Sequence, residues 1–419
     1  MTAMGQARNN LATGTNMPAI NGDRLWADIV STARFGGTDM DGVTRLTLTE
    51  EDRQVRDWFV AECRSLGCAI EIDRIGNIFA TYPGEDPSLP PIAVGSHLDT
   101  QPQGGRFDGI LGVLAGVELI RTLKESGTVL RHALTVVNWT NEEGSRFSPA
   151  MMGSGVFTGA SRLEAIEALI DRDGKTVLAA LEAIGYRGET AVGHVGFTAY
   201  VELHIEQGPL LEAAATEIGI VTGVQGVRWF DVTIAGTEAH AGSTPMAQRD
   251  DALVAASQIV LAVRDIARRH PPGVGTTGFA AIGPNSRNVV PGSVQLQIDM
   301  RHPSEAGLDQ MQAALEQAIG AIDARIALSH IWSKQPVKFD PGIVDSVRTS
   351  AAALGYSATE VVSGAGHDAA HIAGNCPTAM IFVPSKDGLS HNEAEYSSPE
   401  ECARGADVLL QTVLQIDLK

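Results

Sequence analysis

Apolar residues recur at helical spacing in residues 21–66, with Leu25, Ile29 and Ala33 on one stripe and Val55, Phe59, Val60 and Cys63 on a second. Between the stripes, Thr47-Leu-Thr-Glu-Glu51 reads as a helix start with Thr49 as N-cap and Asp52 where a reciprocal cap prefers Glu or Gln. Short strand patterns follow at 69–73 and 77–82, then an apolar strand at 91–94. Residues 110–123 are apolar around most of a helix, as expected for one packed on a sheet. Residues 134–139 are nearly continuous in apolar character, the pattern of a strand covered on both faces. Residues 163–184 predict helical packing. In 200–207 the period is two: Val201, Leu203 and Ile205 share one face, and Glu202, His204 and Glu206 share the other, which puts His204 on a polar face near a strand end.

The pattern changes near Val221. Strands at 227–234 and 277–282, the strict alternation of 294–300, a strand at 326–332 and helices at 250–268 and 308–322 spell β-α-β-β-α-β, a split ferredoxin-like unit. The chain then resumes with a helix at 343–354, a glycine-rich turn at 364–371 and a buried strand at 378–383. Ser398-Pro-Glu-Glu401 is a capping box opening the last helix. The predicted fold is therefore α/β: a central mixed sheet covered by helices, built from residues 1–220 and 336–419, with an inserted ferredoxin-like βαββαβ domain at 221–335.

A formal net charge of −19 over 419 residues argues against nucleic acid or an anionic membrane as partner, but leaves room for a small anionic substrate held by a local arginine. No apolar run reaches the ~20 residues that span a bilayer. Residues 1–21 are polar and small without the apolar segment of a secretory signal, and are expected to form a flexible leader. Cys63, Cys68, Cys376 and Cys402 lack paired metal spacing and read as buried free thiols in a reducing, cytoplasmic setting.

The polar clusters share one placement. His97, Asp99 and Asp108 lie in the loop after the 91–94 strand, Glu142 and Glu143 after 134–139, His204 near the end of 200–207, and His391 after 378–383. Singly, each has an ordinary reading as a solvated turn or a satisfied core histidine. Jointly, at successive strand ends where open α/β sheets place their ligands, they suit two closely spaced divalent ions bridged by one carboxylate.

The segments Ser96-His-Leu-Asp99, Gly104-Gly-Arg-Phe-Asp-Gly109, Asn141-Glu-Glu-Gly144, Leu203-His-Ile-Glu-Gln-Gly-Pro209, Ala239-His-Ala-Gly-Ser-Thr-Pro245 and Leu389-Ser-His-Asn392 resemble the M20-type metallopeptidase clan. More narrowly, they resemble its amidase/hydantoinase/carbamoylase branch. The resemblance implies that Asp108 bridges two ions, with His97 and His204 completing one set and Glu143 and His391 the other. Zinc is the first expectation, with manganese, cobalt and nickel as alternatives. It further implies Glu142 as general base, Asp99 orienting His97, and His240 stabilising an oxyanion across a homodimer, so that the inserted domain is a dimerisation lid. Gln207 follows the carbamoylase pattern as a substrate residue, Asn288 and Arg301 match positions holding a substrate carboxylate, and Gly366 and His367 match a further substrate-contacting turn. The implied reaction is hydrolysis of the ureido C–N bond of an L-α or β N-carbamoyl amino acid. Allantoate amidohydrolase and aminoacylase or dipeptidase are alternative activities, and a metal-dependent binding module is the non-enzymatic one.

Overall fold

Asn21 caps the first helix, α1 (Gly22–Thr32), by accepting a hydrogen bond from Arg24 N, and Leu25 and Ile29 carry its apolar stripe into the core. The computed structural model describes residues 18–419; residues 1–17, most of the expected leader, lie outside the described residues. Helix α2 (Glu50–Leu66) starts at Thr49, whose side chain accepts from Asp52 N. Asp52 does not return to the cap residue. Its Oδ2 takes Leu48 N at 2.7 Å and Arg56 Nε at 2.8 Å in a fully buried pair. Arg56 continues to Gly76 O and Thr140 Oγ1, tying α2 to the segment just before Glu142.

Strands β1 (Ala69–Ile72), β2 (Ile78–Tyr82), β3 (Ile92–His97), β4 (Leu134–Trp139), β5 (Ala199–Ile205) and β6 (Ile218–Val224) follow, with helix α3 (Ile110–Ser126) between β3 and β4. Every residue of β3, β4 and β5 is buried. The alternation in β5 therefore does not mark a solvated face: Glu202 and His204 are 0% and 1% exposed. The stretch expected as helical packing at 163–184 is two short helices, Leu163–Glu167 and Val177–Ile184. They are separated by a turn in which Asp171 Oδ1 accepts from Asp173 N and Lys175 N, local bonds that compete with helix.

The described chain divides into two compact units: residues up to Thr222 together with Phe339–Lys419, and Gly223–Lys338. The second contains β7 (Gly226–Ala235), α4 (Ala252–Arg269), β8 (Val274–Gly283), β9 (Ser293–His302), α5 (Glu305–Gly320) and β10 (Arg325–Lys334). Its sheet has the antiparallel order β10-β7-β9-β8. Phe230, Val232, Ile234, Leu296 and Ile298 pack on Ile259, Val263 and Met311 of the helices, so the period-two strands bury one face.

The first unit resumes with α6 (Pro341–Leu354), β11 (Ala358–Ser363), β12 (Thr378–Val383) and α7 (Pro399–Asp417). The capping box at Ser398 and Glu401 is formed in both directions. The main sheet runs β1-β2-β4-β3-β5-β12-β6, with β11 also on β6. Within it β4, β3, β5 and β12 are mutually parallel, whereas β1, β2 and β6 pair antiparallel. Parallel strands end on one edge, which is why loops from distant parts of the chain meet there. Among the described residues no helix is long and apolar enough to cross a membrane.

Candidate metal centre

His97 is the last residue of β3, and its Nδ1 lies 2.9 Å from the carbonyl oxygen of Asp99. A carbonyl only accepts, so Nδ1 carries the proton and Nε2 presents its lone pair. Nε2 faces Asp108 Oδ1 and Glu142 Oε2, each at 3.6 Å. Gly109, at φ 69°, makes this approach possible: a Cβ there would lie 2.3 Å from His97 Nε2. His204, on β5, is built the same way, with Nδ1 at 2.8 Å from Ile205 O and Nε2 at 3.1 Å from Asp108 Oδ1. That Nε2 is buried and has no hydrogen-bond partner.

The other oxygen of Asp108 faces a second group. His391 Nε2 lies 3.4 Å from Asp108 Oδ2 and 3.5 Å from Glu143 Oε2. Gln101 Nε2 donates to Glu143 Oε2 at 2.6 Å, and Ser145 Oγ donates to Gln101 Oε1. The loop between Asp99 and Asp108 thus orients a ligand as well as turning the chain. Asp99 holds His97 through its carbonyl oxygen. The carboxylate is 3.8 Å from His97 Nδ1 and instead accepts from Glu142 N and Glu143 N, both at 3.3 Å, pinning the glutamate turn.

His97, Asp108 and His204 form one group able to hold an ion, and Asp108, Glu143 and His391 another. In a third combination, Glu202, His204 and His367, the carboxylate and the His367 ring are already engaged in hydrogen bonds. Ser96, Tyr200 and Ala369 donate to the Glu202 carboxylate, while His367 Nε2 is 2.9 Å from Ser363 Oγ. In the first group two imidazole lone pairs face a carboxylate oxygen, an arrangement of acceptors that a divalent cation would satisfy. The donor set therefore fits two ions sharing Asp108.

The electrostatics agree. Burial disfavours imidazolium at His97, but Glu142, Asp108 and Asp99 outweigh it and hold its pKa well above the ordinary imidazole value. Burial pushes Glu142 well above the usual carboxylate range, opposed by His97 and reinforced by Asp368, Glu143 and Asp108. Burial and the Asp108 charge likewise lift Glu143 and Glu395 each to about 7. The cluster thus holds excess protons that bound cations would displace.

Of the remaining expected residues, Gln207 joins the centre: its Nε2 donates to Asp108 Oδ2 at 2.8 Å and to Ser390 Oγ at 3.1 Å. His367 is only 2% exposed and packs edge-on against His204, with ring centroids 4.5 Å apart. Gly366 leaves room for Met151, whose Cε would lie 3.1 Å from a Cβ there. In the second unit, His240 and Asn288 come together, with Val289 opposite His240 and Ala241 N donating to Asn288 O at 3.0 Å. His240 Nδ1 accepts from Gly242 N and Ser243 N, leaving the proton on Nε2 as an outward donor. Arg301 closes its fork on Asp299, with Nε–Oδ1 at 2.9 Å and Nη2–Oδ2 at 3.0 Å. Sequence reasoning missed Gln101, Ser390 and Glu395. The Gly104-Gly105 pair was the available signal, since paired glycines in a loop mark close approach.

Comparison with known proteins bears on the same residues. The model of peptidase family M20/M25/M40 matches residues 93–415, which include both groups able to hold an ion. The chain is 46% identical over 401 residues to an N-carbamoyl-L-amino-acid amidohydrolase of Rhizobium meliloti, covering 94% of this chain and 96% of that one. It is 39% identical to an N-carbamoyl-L-amino acid amidohydrolase of Geobacillus stearothermophilus, with 95% and 99% covered. A crystal structure of an amidase of the hydantoinase/carbamoylase family from Burkholderia multivorans superposes with a TM-score of 0.93 at 46% identity, covering 96% of this chain and 99% of that chain. The chain belongs to the M20/M25/M40 peptidase family, on the side of its hydantoinase/carbamoylase amidases.

Proposed function

We propose that this protein is a binuclear metal-dependent amidohydrolase that cleaves the ureido C–N bond of an N-carbamoyl amino acid, giving the amino acid, carbon dioxide and ammonia. The observation carrying this reading is the division of Asp108, one oxygen toward His97 and His204 and the other toward His391 and Glu143, with Glu142 beside both groups and in neither. The similarity to N-carbamoyl-L-amino-acid amidohydrolases supports the choice of substrate class.

When bound, two divalent ions, zinc foremost, supply Lewis acidity toward the ureido carbonyl and make water more acidic. The chain supplies the rest. Glu142 Oε2 takes the proton of the attacking water, a task suited to a carboxylate that burial makes more basic than an exposed one. The same oxygen returns the proton to the departing nitrogen as the tetrahedral carbon collapses. Asp99 keeps Glu142 in place through its backbone N–H. Gln207 Nε2 is committed to Asp108 and Ser390, while its buried Oε1 lacks a partner and is assigned to the ureido N–H.

Three assignments belong to the second unit. The Nε2–H of His240 stabilises the oxyanion, in a homodimer formed through this unit. Asn288 and Arg301 hold the substrate carboxylate, with Asp299 orienting the guanidinium. The four buried free thiols support a cytoplasmic setting.

The reading is tested by ammonia release from N-carbamoyl-α-amino acids of both hands, N-carbamoyl-β-alanine and allantoate, after loading with zinc, manganese, cobalt or nickel. Turnover of an N-carbamoyl-L-α-amino acid above all others is expected. Turnover of allantoate alone, or of none of the carbamoyl compounds with any metal, contradicts it.

A further inference from the structure

Glu395 lies four positions beyond His391 in a polar loop, yet its side chain is buried and both oxygens are used. Oε1 accepts from Phe107 N at 3.2 Å and Asp108 N at 3.1 Å. Oε2 accepts from Ser390 Oγ at 2.9 Å, and that hydroxyl also lies 3.2 Å from Asp108 Oδ2. Glu395 N donates to Asn392 O at 3.0 Å, closing the turn that carries His391. The opposing loop comes unusually near: a Cβ on Gly105 would lie 2.2 Å from Glu395 Oε1. Phe107 is in turn held between Trp26 and Tyr396, with ring centroids 5.8 and 5.7 Å away.

One carboxylate therefore joins the loop of Asp108 to the loop of His391, across 287 positions of sequence between Glu395 and Asp108. The two N–H groups fix the backbone at Asp108, and the backbone fixes which of its oxygens faces which histidine. Ser390 adds a contact at Oδ2, on the side of His391 only. The linkage reaches the group of His97 and His204 only through Asp108, whereas it reaches the group of His391 through Asp108, Ser390 and the His391 turn together, so its effect is weighted to the second group.

We infer that Glu395 is a positioning residue that sets the spacing of Asp108 and His391, and with it the affinity of the second ion more than that of the first. This rests on the two-ion reading proposed above. Residues that hold metal ligands typically contribute about 10- to 100-fold in affinity.

The test titrates metal-free parent, Glu395→Ala, Glu395→Gln and Asp417→Ala with zinc ion, reading stoichiometry and both affinities by calorimetry, with melting temperature alongside. Asp417 is the control: another buried carboxylate, it accepts from Arg131 N and His132 N in a part of the fold with none of the ligands. The expected result is that Glu395→Ala binds the second zinc about 10- to 100-fold more weakly and loses clearly less at the first. Glu395→Gln, which keeps one acceptor oxygen, falls between it and the parent. Asp417→Ala binds both as the parent does, although its melting temperature also falls. Parental binding of both ions by Glu395→Ala overturns the inference, and so does equal weakening of both. Should Glu395→Ala fail to fold, Glu395→Gln and Ser390→Ala decide the matter: selective weakening of the second ion supports the inference and its absence overturns it. A parent that takes up one zinc overturns the two-ion reading itself, a result distinct from loss of selectivity in the variant.

Discussion

Removing the Asp99 side chain separates two roles that the sequence pattern runs together. The carboxylate is 2% exposed and is the acceptor for Glu142 N and Glu143 N. A buried N–H left without a partner costs about 1–3 kcal/mol, which applies in full to Glu142 N and in part to the half-buried Glu143 N. The bonds are long at 3.3 Å, and burial already raises the Asp99 pKa, meaning that its charge is desolvated at some cost. Both facts put Asp99→Ala at the lower end of the combined cost, about 2–3 kcal/mol. Asp99→Asn, which keeps one acceptor oxygen, loses about half as much. Urea unfolding of the metal-free variants measures this directly. Because the Asp99 carbonyl rather than its carboxylate holds His97, both variants retain the first ion, while turnover falls about 10- to 100-fold through the loosened glutamate turn. A stability change under about 0.5 kcal/mol for Asp99→Ala, within the range of unremarkable surface changes, refutes the reasoning. Loss of the first ion in Asp99→Asn also refutes it, since it makes the carboxylate the group that orients His97.

Two further outcomes follow from the same geometry. Glu142→Gln leaves the metal-to-protein ratio unchanged, because Glu142 is in neither ion group, and lowers turnover about 10²- to 10⁴-fold; retained turnover removes Glu142 as the base. The Asp108 hydrogen bond, against the opposing effect of burial, raises the His391 pKa from 6.5 to about 9. On the two-ion reading the second ion displaces that proton, so its affinity measured by calorimetry rises about tenfold per pH unit between about 7 and the raised pKa, more steeply below about 7 where Glu143 is also protonated, and then levels; a flat profile contradicts the assignment. For the metal-free fold the sign reverses: the stabilisation from His391 is fully present below 6.5 and is lost as pH rises through about 9.

The order of elements was legible because strand and helix periods differ and because the two central strands of the inserted unit, β7 and β9, bury one face each. The residues of the two groups able to hold an ion were legible as a set through their shared placement at strand ends. The polar face carrying Glu202 and His204 is buried, which alternation alone cannot report because helices cover both sides of the sheet. Glu202 makes the same point: a carboxylate within an alternating strand is 0% exposed, satisfied by Ser96, Tyr200 and Ala369 from other elements. Asp52 shows a smaller version, where a residue in the expected capping position turns to Leu48 and Arg56 instead. Glu395 was illegible for a different reason. Asn392-Glu-Ala-Glu395 looks like any solvated turn, and its partners at 107 and 108 are distant in sequence.

Asp108 is the residue on which both ion groups depend, and the metal content of Asp108→Ala beside that of His391→Ala tests the centre most directly. Elemental analysis of the dialysed, zinc-loaded proteins is predicted to give two ions per chain in the parent, one in His391→Ala and fewer than one in Asp108→Ala. A single ion in the parent, or two retained in Asp108→Ala, contradicts a centre bridged by that carboxylate.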